Sequence, residues 1–252
     1  MKPARPADPK NKAKKVGLAR ALSKLGFCSR TQAFALVREG KVRLNGGVAR
    51  NAEAPVRMGV DGIEVEGRKV AAAAKVYVML NKPRGIVTTA DDEKRRETVY
   101  TLLPKNWKWI APVGRLDKAS EGLLLLTNDS EWAARVTEPR THVDKVYHVQ
   151  IAAIADEQML NALQNEIHEE SGEILRAKRI ARLRSGEKSS WLEITLEEGK
   201  NRQIRRMLAT LGVEVLRLVR VAIGPLKLGE LTKGTWRNLT PEEKKSFDAA
   251  FD

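Results

Sequence analysis

Apolar and polar residues alternate with different periods along the chain, and these periods predict its secondary structure. In residues 16–40 the apolar positions recur at helical spacing and are interrupted at Gly26, which predicts two short helices, the second opened by a capping box at Ser29. Alternating apolar and charged residues in 41–44 and 62–67, with an Asn-Gly hairpin signal after the first run, predict strands. This part of the chain is therefore predicted to be a small module of two helices followed by strands.

The remainder of the chain mixes strands with helices. The apolar run Leu123–Leu126 lies between a glycine and an Asn-Asp turn signal, which is typical of a strand buried on both faces. In 145–151 the alternation places Tyr147 on the apolar face of a strand, where a tyrosine is more often a core residue than a functional one. Further strands are predicted at 76–80, 177–183, 191–196 and 215–226, and helices at 131–137, 156–165, 204–211 and after Thr240. Together these elements predict an α+β fold.

Changes in composition divide the chain into three segments. Residues 1–15 combine prolines with many lysines and have almost no apolar side chain, which predicts a disordered basic arm. The arm could add phosphate contacts or be a solvated tail, and the sequence leaves both open. An alanine-rich stretch at 71–74 is the predicted domain boundary. We therefore expect a small domain in 16–72 and a larger one in 75–252.

The charge balance favours a polyanionic partner. The 252 residues contain 46 Lys plus Arg against 32 Asp plus Glu, which gives a net charge of +14 and a pI near 10.0. Nucleic acid is the commonest partner of so basic a chain. A membrane is not expected, because we find no apolar run of spanning length, no basic interfacial helix and no signal peptide after Met1.

The few cysteines and histidines limit the possible chemistry. Cys28 is the single cysteine and cannot form an internal disulfide, which fits a cytoplasmic protein. The three histidines lack ligand spacing, so no metal site is expected. No glycine-rich phosphate loop or dinucleotide motif occurs, so no cofactor is expected either. We expect a monomer.

A loop before the leucine run carries the candidate nucleophile, Asp117. Glycines bound this loop, and a buried strand would hold it at the edge of a rigid scaffold, where functional carboxylates are often found. From the residues alone, Asp117 could equally cap a turn or pair with Arg115 or Lys118.

Resemblance to a known family favours the functional interpretation. Gly-Arg-Leu-Asp at 114–117, Ser-Glu-Gly at 120–122 and the leucine run that follows resemble the catalytic motif of pseudouridine synthases, in particular the RsuA-type ribosomal branch. The resemblance covers roughly residues 16–239. It implies a mixed, mainly antiparallel sheet with flanking helices, and isomerisation of a uridine to pseudouridine in ribosomal RNA.

The resemblance also implies roles for individual residues. Asp117 would be the nucleophile, Tyr147 the active-site tyrosine, and Arg205 the basic residue that pairs with the aspartate. A cation beside Asp117 would offset the desolvation that otherwise raises the pKa of a buried carboxylate. Arg115 is the candidate for holding a flipped-out state of the RNA.

Other basic residues are candidate RNA contacts. A cationic run at the predicted start of the helix at 204–211 would bind anions. The lysine-proline-basic-glycine stretch at 82–85 resembles the opening of the family's catalytic domain, although turn solvation would explain it too. The candidates in these two stretches are Lys82, Arg84, Lys200, Arg202 and Arg206.

The small module resembles the S4-like, or alpha-L, RNA-binding domain. The resemblance rests on Ser-Arg at the start of its second helix and on Gly-Lys-Val-Arg-Leu-Asn-Gly at 40–46. Arg30, Lys41 and Arg43 would belong to its phosphate-binding face, although each alone could be an ordinary surface charge.

The expected partner is ribosomal RNA or a pre-ribosomal particle. The stretch 191–207 resembles the large-subunit members of the branch more than the small-subunit one, and the sequence leaves the subunit open. The alternatives are a non-catalytic RNA-binding or ribosome-assembly factor, which would need no such aspartate, and a base-removing glycosidase. A glycosidase usually has a second carboxylate, and none is found near Asp117 in the sequence.

Overall fold

The structure is a computed structural model that describes residues 15–89, 92, 94–107, 109–138, 141–169 and 171–251. The predicted basic arm lies outside the described residues except for Lys15, which begins a strand instead. The chain divides into two compact units with a boundary between Lys75 and Val76, and two short later segments belong to the first unit.

The first unit contains two helices and two small sheets. Its helices are α1 (Leu18–Lys24) and α2 (Arg30–Arg38), and its strands are β1 (Lys15–Gly17), β2 (Val42–Leu44), β3 (Gly47–Val48), β4 (Pro55–Arg57), β5 (Ile63–Val65) and β6 (Arg68–Lys69). The predicted capping box is present, since the Ser29 hydroxyl accepts from the Gln32 amide and the Gln32 side chain accepts from the Ser29 amide. Four strands form an antiparallel sheet in the order β3-β2-β5-β6, and β1 pairs with β4.

The second unit is built around one large sheet. Its strands are β7 (Tyr77–Lys82), β8 (Ala111–Val113), β9 (Glu121–Thr127), β10 (Lys145–Ile151), β11 (Ile167–His168), β12 (Ile174–Leu175), β13 (Arg179–Ser185), β14 (Ser190–Leu196), β15 (Val215–Ile223), β16 (Leu226–Lys227) and β17 (Trp236–Asn238). Its helices are α3 (Ser130–Thr137), α4 (Glu157–Gln164), α5 (Gln203–Thr210) and α6 (Pro241–Asp248), with short 3-10 turns at Val99–Leu102 and Ala249–Phe251.

Nine strands form the large sheet, in the order β13-β14-β10-β15-β9-β7-β17, with β16 paired to β15 and β8 to β9. The β9–β15 pair is parallel and the other pairs are antiparallel. The predicted mixed, mainly antiparallel sheet with flanking helices is therefore confirmed. Every residue of β9 is buried, as its run of leucines predicted.

Helices α3 and α6 cover one face of this sheet. Trp132 of α3 and Phe247 of α6 pack with Leu123 and Leu125 of β9 in one apolar cluster. The helix predicted after Thr240 is α6, which begins with a capping box of Thr240 and Glu243 and has Pro241 in its first turn. Among the described residues no helix has the length and apolarity to cross a lipid bilayer.

Candidate active site

Residues 114–120 join β8 to β9 and carry Asp117, and hydrogen bonds to their backbone hold them in place. Each carbonyl from Leu116 to Ser120 accepts at least one hydrogen bond. Leu116 O accepts from Thr88 Oγ1, and Asp117 O accepts from both Lys82 Nζ and the Ser120 amide. Lys118 O accepts from the Gly85 amide, Ala119 O from Arg205 Nη2, and Ser120 O from Lys82 Nζ, and all these distances are 2.8–3.2 Å. The sequence folds this way because β7 ends beside the start of β9 and delivers residues 82–88 to the loop. The Asp117 loop is therefore fixed before any substrate binds.

Lys82 is the main support of this loop. It ends β7, its side chain is 0% exposed, and its Nζ donates to the carbonyls of Pro83, Asp117 and Ser120 at 3.0, 3.2 and 2.9 Å. Burial lowers the pKa of Lys82 to about 8, against the opposing charges of Asp117 and Glu121. The prediction that Lys82 contacts phosphate is wrong, because its ammonium group is buried and fully used by these carbonyls.

The carboxylate of Asp117 points to no internal partner. The residue is partly buried, and no cation of the described residues lies within 4.0 Å of its carboxylate oxygens. Neither Arg115 nor Lys118, both exposed, pairs with it in the described part of the chain. Its charge nevertheless acts at longer range, since it opposes the lowering of the pKa of both Lys82 and Arg205 by burial. A carboxylate held in place but left unpaired is available to react with a ligand.

Arg205 reaches the loop from the first turn of α5. Its Nη2 donates to Ala119 O at 3.0 Å and its Nη1 to Val215 O at 3.4 Å. Burial lowers the pKa of its guanidinium, and the neighbouring charges of Arg202 and Arg84 lower it further. The direct pair with Asp117 that the resemblance implies is therefore not formed in this structure, although Arg205 lies within the field of the carboxylate.

The cationic run at the start of α5 splits into two groups. Arg202 is exposed, and its charge acts on Arg205, as does that of the exposed Arg84. Arg206 instead donates to Glu173 at 2.8 Å and lies 3.3 Å from Glu169. Its role as an RNA contact stays a prediction, and in this structure two carboxylates hold its Nη1.

Lys200 also faces acidic groups. Its Nζ donates to Ile174 O at 2.6 Å and lies 3.2 Å from Glu198 and 3.7 Å from Glu173. Its contact with RNA therefore also stays a prediction, and in this structure the lysine joins the start of α5 to the β11–β12 hairpin. The buried side chain of Gln203 supports the same junction through Arg176 O.

Tyr147 lies on β10 and is 9% exposed. In the sheet it pairs with Ile194 of β14 on one side and with Arg220 of β15 on the other. Arg220 in turn pairs with Gly122 of β9, and Gly122 pairs with Lys82 of β7. One row of residues across the sheet therefore leads from the tyrosine to the lysine beneath the Asp117 loop.

Arg220 is a residue of this row that sequence reasoning missed. Its side chain is 6% exposed, and its Nε donates to Leu123 O at 2.7 Å. An arginine buried inside a strand is uncommon, since charged residues are rarely fully buried without a partner. Its place beside Tyr147 depends on the pairing of β10 with β15, which the sequence does not show. The signal available was the pair of arginines, Arg217 and Arg220, in an otherwise apolar strand at 215–223.

Some buried polar atoms near the loop have no partner. They are Ser120 Oγ, Arg205 Nε and Arg220 Nη2. Ser120 belongs to the loop, and the two arginines donate to the carbonyls of Ala119 and Leu123. Because buried polar groups normally find hydrogen-bond partners, a polar ligand with several acceptors would suit this site. In the described part of the chain no cluster of His, Cys, Asp or Glu has the form of a metal site.

The candidate RNA contacts of the first unit lie at its surface. Arg30 is exposed at the start of α2, and Arg43 is exposed on β2 and donates to Gly46 O. Lys41 is exposed but lies 2.9 Å from Glu39 and 3.4 Å from Glu66, which reduces its attraction for phosphate.

Comparison with known proteins agrees with this geometry. The family model described as RNA pseudouridylate synthase matches residues 76–210, and the S4 domain model matches residues 16–61. The chain is 38% identical over 236 residues to the ribosomal large subunit pseudouridine synthase B of Bacillus subtilis (strain 168), a match that covers 93% of this chain and 96% of that protein.

Two further similarities extend along most of the chain. An uncharacterized RNA pseudouridine synthase of Aquifex aeolicus (strain VF5) is 38% identical over 229 residues, covering 90% of this chain and 92% of the relative. A solved structure described as a pseudouridylate synthase superposes with a TM-score of 0.64 at 28% identity, covering 92% of this chain and 99% of the other. The chain therefore belongs to the RNA pseudouridylate synthase family, with an S4 domain before the synthase domain.

Proposed function

We propose that this enzyme converts one uridine of large-subunit ribosomal RNA to pseudouridine, with Asp117 as the nucleophile. The single observation that carries this proposal is a loop with five hydrogen-bonded carbonyls that presents an unpaired carboxylate beside a partly buried arginine. Such rigid support is what a reacting group needs, because small displacements of a catalytic group reduce rates strongly.

The isomerisation balances without a redox partner. The bond from ribose carbon 1′ to nitrogen 1 breaks, the base turns, and carbon 1′ joins carbon 5, while carbon 5 loses a proton and nitrogen 1 gains one. Asp117 can promote this by attack on carbon 1′ or on the uracil ring. Either path uses the carboxylate of Asp117, whose charge acts on both Arg205 and Lys82.

Tyr147 and Arg115 have complementary roles in this proposal. Tyr147 would lie under the target base and take part in proton transfer. Arg220, its neighbour in the sheet, donates to Leu123 O near the start of β9. Arg115 is exposed two residues before Asp117, so it can occupy the gap that a flipped-out uridine leaves in the RNA. Arg84 and Arg202, exposed around the loop, would hold flanking phosphates.

The substrate follows from the first unit and from the relatives. The S4 domain with Arg30, Lys41 and Arg43 would add sequence-independent affinity for RNA. The name of the Bacillus subtilis relative specifies the ribosomal large subunit, which favours that RNA here. We further propose that the enzyme acts as a monomer in the cytoplasm, on free ribosomal RNA or on a pre-ribosomal particle, with residues 16–72 as the RNA-binding domain and 75–252 as the catalytic one.

Mapping of pseudouridine tests the proposal. Ribosomal RNA from cells with and without this gene would be treated with carbodiimide and examined by primer extension. We expect one stop in large-subunit RNA to vanish without the gene and to return with the wild-type protein but not with Asp117→Asn. A stop that returns with both proteins would remove Asp117 from the mechanism, and no lost stop in large-subunit RNA would refute that substrate.

A further inference from the structure

A groove on the sheet face opposite Tyr147 has no role in the proposed reaction. Its volume is about 370 Å³, and its lining includes His148, Leu183, Arg184, Trp191, Arg217 and Val219. Neighbouring residues of a strand point to opposite faces, so His148 and Tyr147 lie on opposite sides of β10. Helices α3 and α6 cover this face up to Val219, which packs against their cluster and also lines the groove. The groove therefore begins where the helical cover ends.

The groove presents an aromatic ring flanked by guanidinium groups. The Cζ atoms of Arg184 and Arg217 lie 5.4 and 5.9 Å from the centre of the Trp191 ring. Leu183, on the edge strand β13, is 46% exposed beside them. Partly exposed tryptophan next to arginine is the combination on which proteins stack unpaired nucleobases, because each base has a flat face and its backbone carries charge.

The charges in the groove favour a partner that carries phosphate over a cationic partner. None of the described acidic residues lines it. Arg217 is paired with Glu121, which Lys233 shares, and Glu193 lies 3.5 Å from His148. Arg184 makes no ion pair with a described carboxylate within 4.0 Å, so its charge is available to a ligand.

One ion pair connects the groove to the catalytic loop. Glu121, whose side chain is 4% exposed, follows Ser120 directly and is held by Arg217 on the groove side. An RNA segment in the groove would therefore lie on the same rigid sheet that supports Asp117. Because the two sites are on opposite faces, the occupant of the groove is a nucleotide other than the target uridine.

We propose that this groove binds an unpaired nucleotide of the substrate RNA, remote from the target uridine, with its base stacked on Trp191 and its phosphate on Arg184. The proposal rests on the proposed function, since it takes RNA as the substrate. It gives the synthase domain a second contact with folded RNA, apart from the S4 domain and the active site.

Crosslinking of the full-length protein tests occupancy of the groove. The probe is a large-subunit ribosomal RNA fragment substituted with 4-thiouridine. After irradiation, the crosslinked peptides are identified by mass spectrometry. We expect a crosslink in the peptide that contains Trp191, reduced at least about fivefold by Trp191→Ala or Arg184→Ala, as loss of one stacked base would do. Trp191→Tyr should retain it. Lys188→Ala is the matched control, because it removes an exposed cation of the same hairpin outside the groove.

A kinetic comparison separates a binding role from a structural one. With long ribosomal RNA, Trp191→Ala should raise KM about fivefold and leave kcat unchanged, and with a short hairpin that carries only the target uridine it should change neither. Crosslinks at the Asp117 loop with none at Trp191, or equal losses in Lys188→Ala, would overturn the proposal. So would a lower kcat on both substrates. If the wild-type protein formed no pseudouridine, the proposed function would fail, and the crosslinks would still decide whether RNA occupies the groove.

Discussion

Replacement of Lys82 by methionine is the sharpest perturbation of the Asp117 loop. The variant keeps an unbranched side chain of similar length but removes the ammonium group that donates to the carbonyls of Pro83, Asp117 and Ser120. Carbonyls left without a donor in a buried site cost about 1–3 kcal/mol each. Since the Ser120 amide still donates to Asp117 O, two carbonyls lose their donor, and the loss is on the order of 2–6 kcal/mol.

An opposing gain reduces the effect on global stability. Burial moves the pKa of Lys82 from 10.5 to about 8, so burying the charged form costs on the order of 3 kcal/mol, and methionine avoids that cost. We therefore expect the free energy of unfolding to fall by only about 1–2 kcal/mol. The kcat should fall much more, by about tenfold to a hundredfold, because the carbonyls that fix Asp117 lose their donor.

The matched control is Lys145→Met. Burial also lowers the pKa of Lys145, but its Nζ donates to Glu197 O at 2.9 Å and does not touch the Asp117 loop. Denaturant unfolding and single-turnover pseudouridine formation would be measured for both variants. A Lys82→Met enzyme with near-wild-type kcat, or a Lys145→Met enzyme with an equal loss, would refute the idea that Lys82 positions Asp117.

The pH dependence gives the same prediction a second readout. The folded pKa of Lys82 lies below its ordinary value, so between about pH 8 and pH 10.5 the unfolded chain binds more protons and stability rises with pH. Over the same range the neutral amine has one donor fewer for the three carbonyls, so kcat should fall as pH rises through about 8. Both trends should disappear in Lys82→Met, and their persistence would assign them to another group.

Three further predictions concern other parts of the molecule. Gly122→Ala should prevent stable folding, because its Cβ would lie 2.2 Å from Arg220 O at a positive φ, whereas Gly199→Ala, with open space around it, should unfold like the wild type in a thermal melt. Arg205→Ala should lower kcat more than RNA affinity, and a loss confined to affinity would make it a phosphate contact. Deletion of residues 1–70 should weaken RNA binding and flatten the plot of log affinity against log salt by about 0.7–0.9 for each phosphate that the deleted segment neutralises; an unchanged slope would exclude the S4 domain as an RNA contact.

Local patterns predicted much of the fold. The capping boxes at Ser29 and Thr240 depend on residues three apart, and both helices begin where the sequence indicates. The leucines of β9 predicted a strand buried on both faces, and the alternation in β10 predicted the buried position of Tyr147. Such signals are readable because they need only neighbouring residues and a known period.

Contacts between residues far apart in the chain could not be predicted from such local patterns. Lys82 resembled a turn cation, but the pairing of β7 with β9 buries it under the Asp117 loop. Arg206 resembled an anion ligand, but Glu169 and Glu173, more than thirty residues upstream, already hold it. Whether a charge meets solvent, a carboxylate or a carbonyl depends on which strands pair, and side-chain identity alone does not specify that.

The register of the β13–β14 hairpin could not be predicted from the sequence either. The sequence predicted a strand at 177–183 with a loop from Arg184, whereas β13 runs through Ser185 with a bulge between Arg182 and Arg184. A bulge adds one unpaired residue and changes which side chains share a face. In this chain it brings Arg184 opposite Trp191, which creates the groove that the sequence did not reveal.

The most direct test of the central claim is a comparison of the wild-type enzyme with Asp117→Asn, on large-subunit ribosomal RNA labelled with tritium at carbon 5 of uridine. Release of tritium measures pseudouridine formation, and a filter-binding titration of the same RNA measures affinity. We expect no release by the variant and an affinity close to that of the wild type, because the amide keeps the shape of the loop but cannot act as the nucleophile. Release by Asp117→Asn at the wild-type rate would contradict the assignment of Asp117 as the reacting carboxylate.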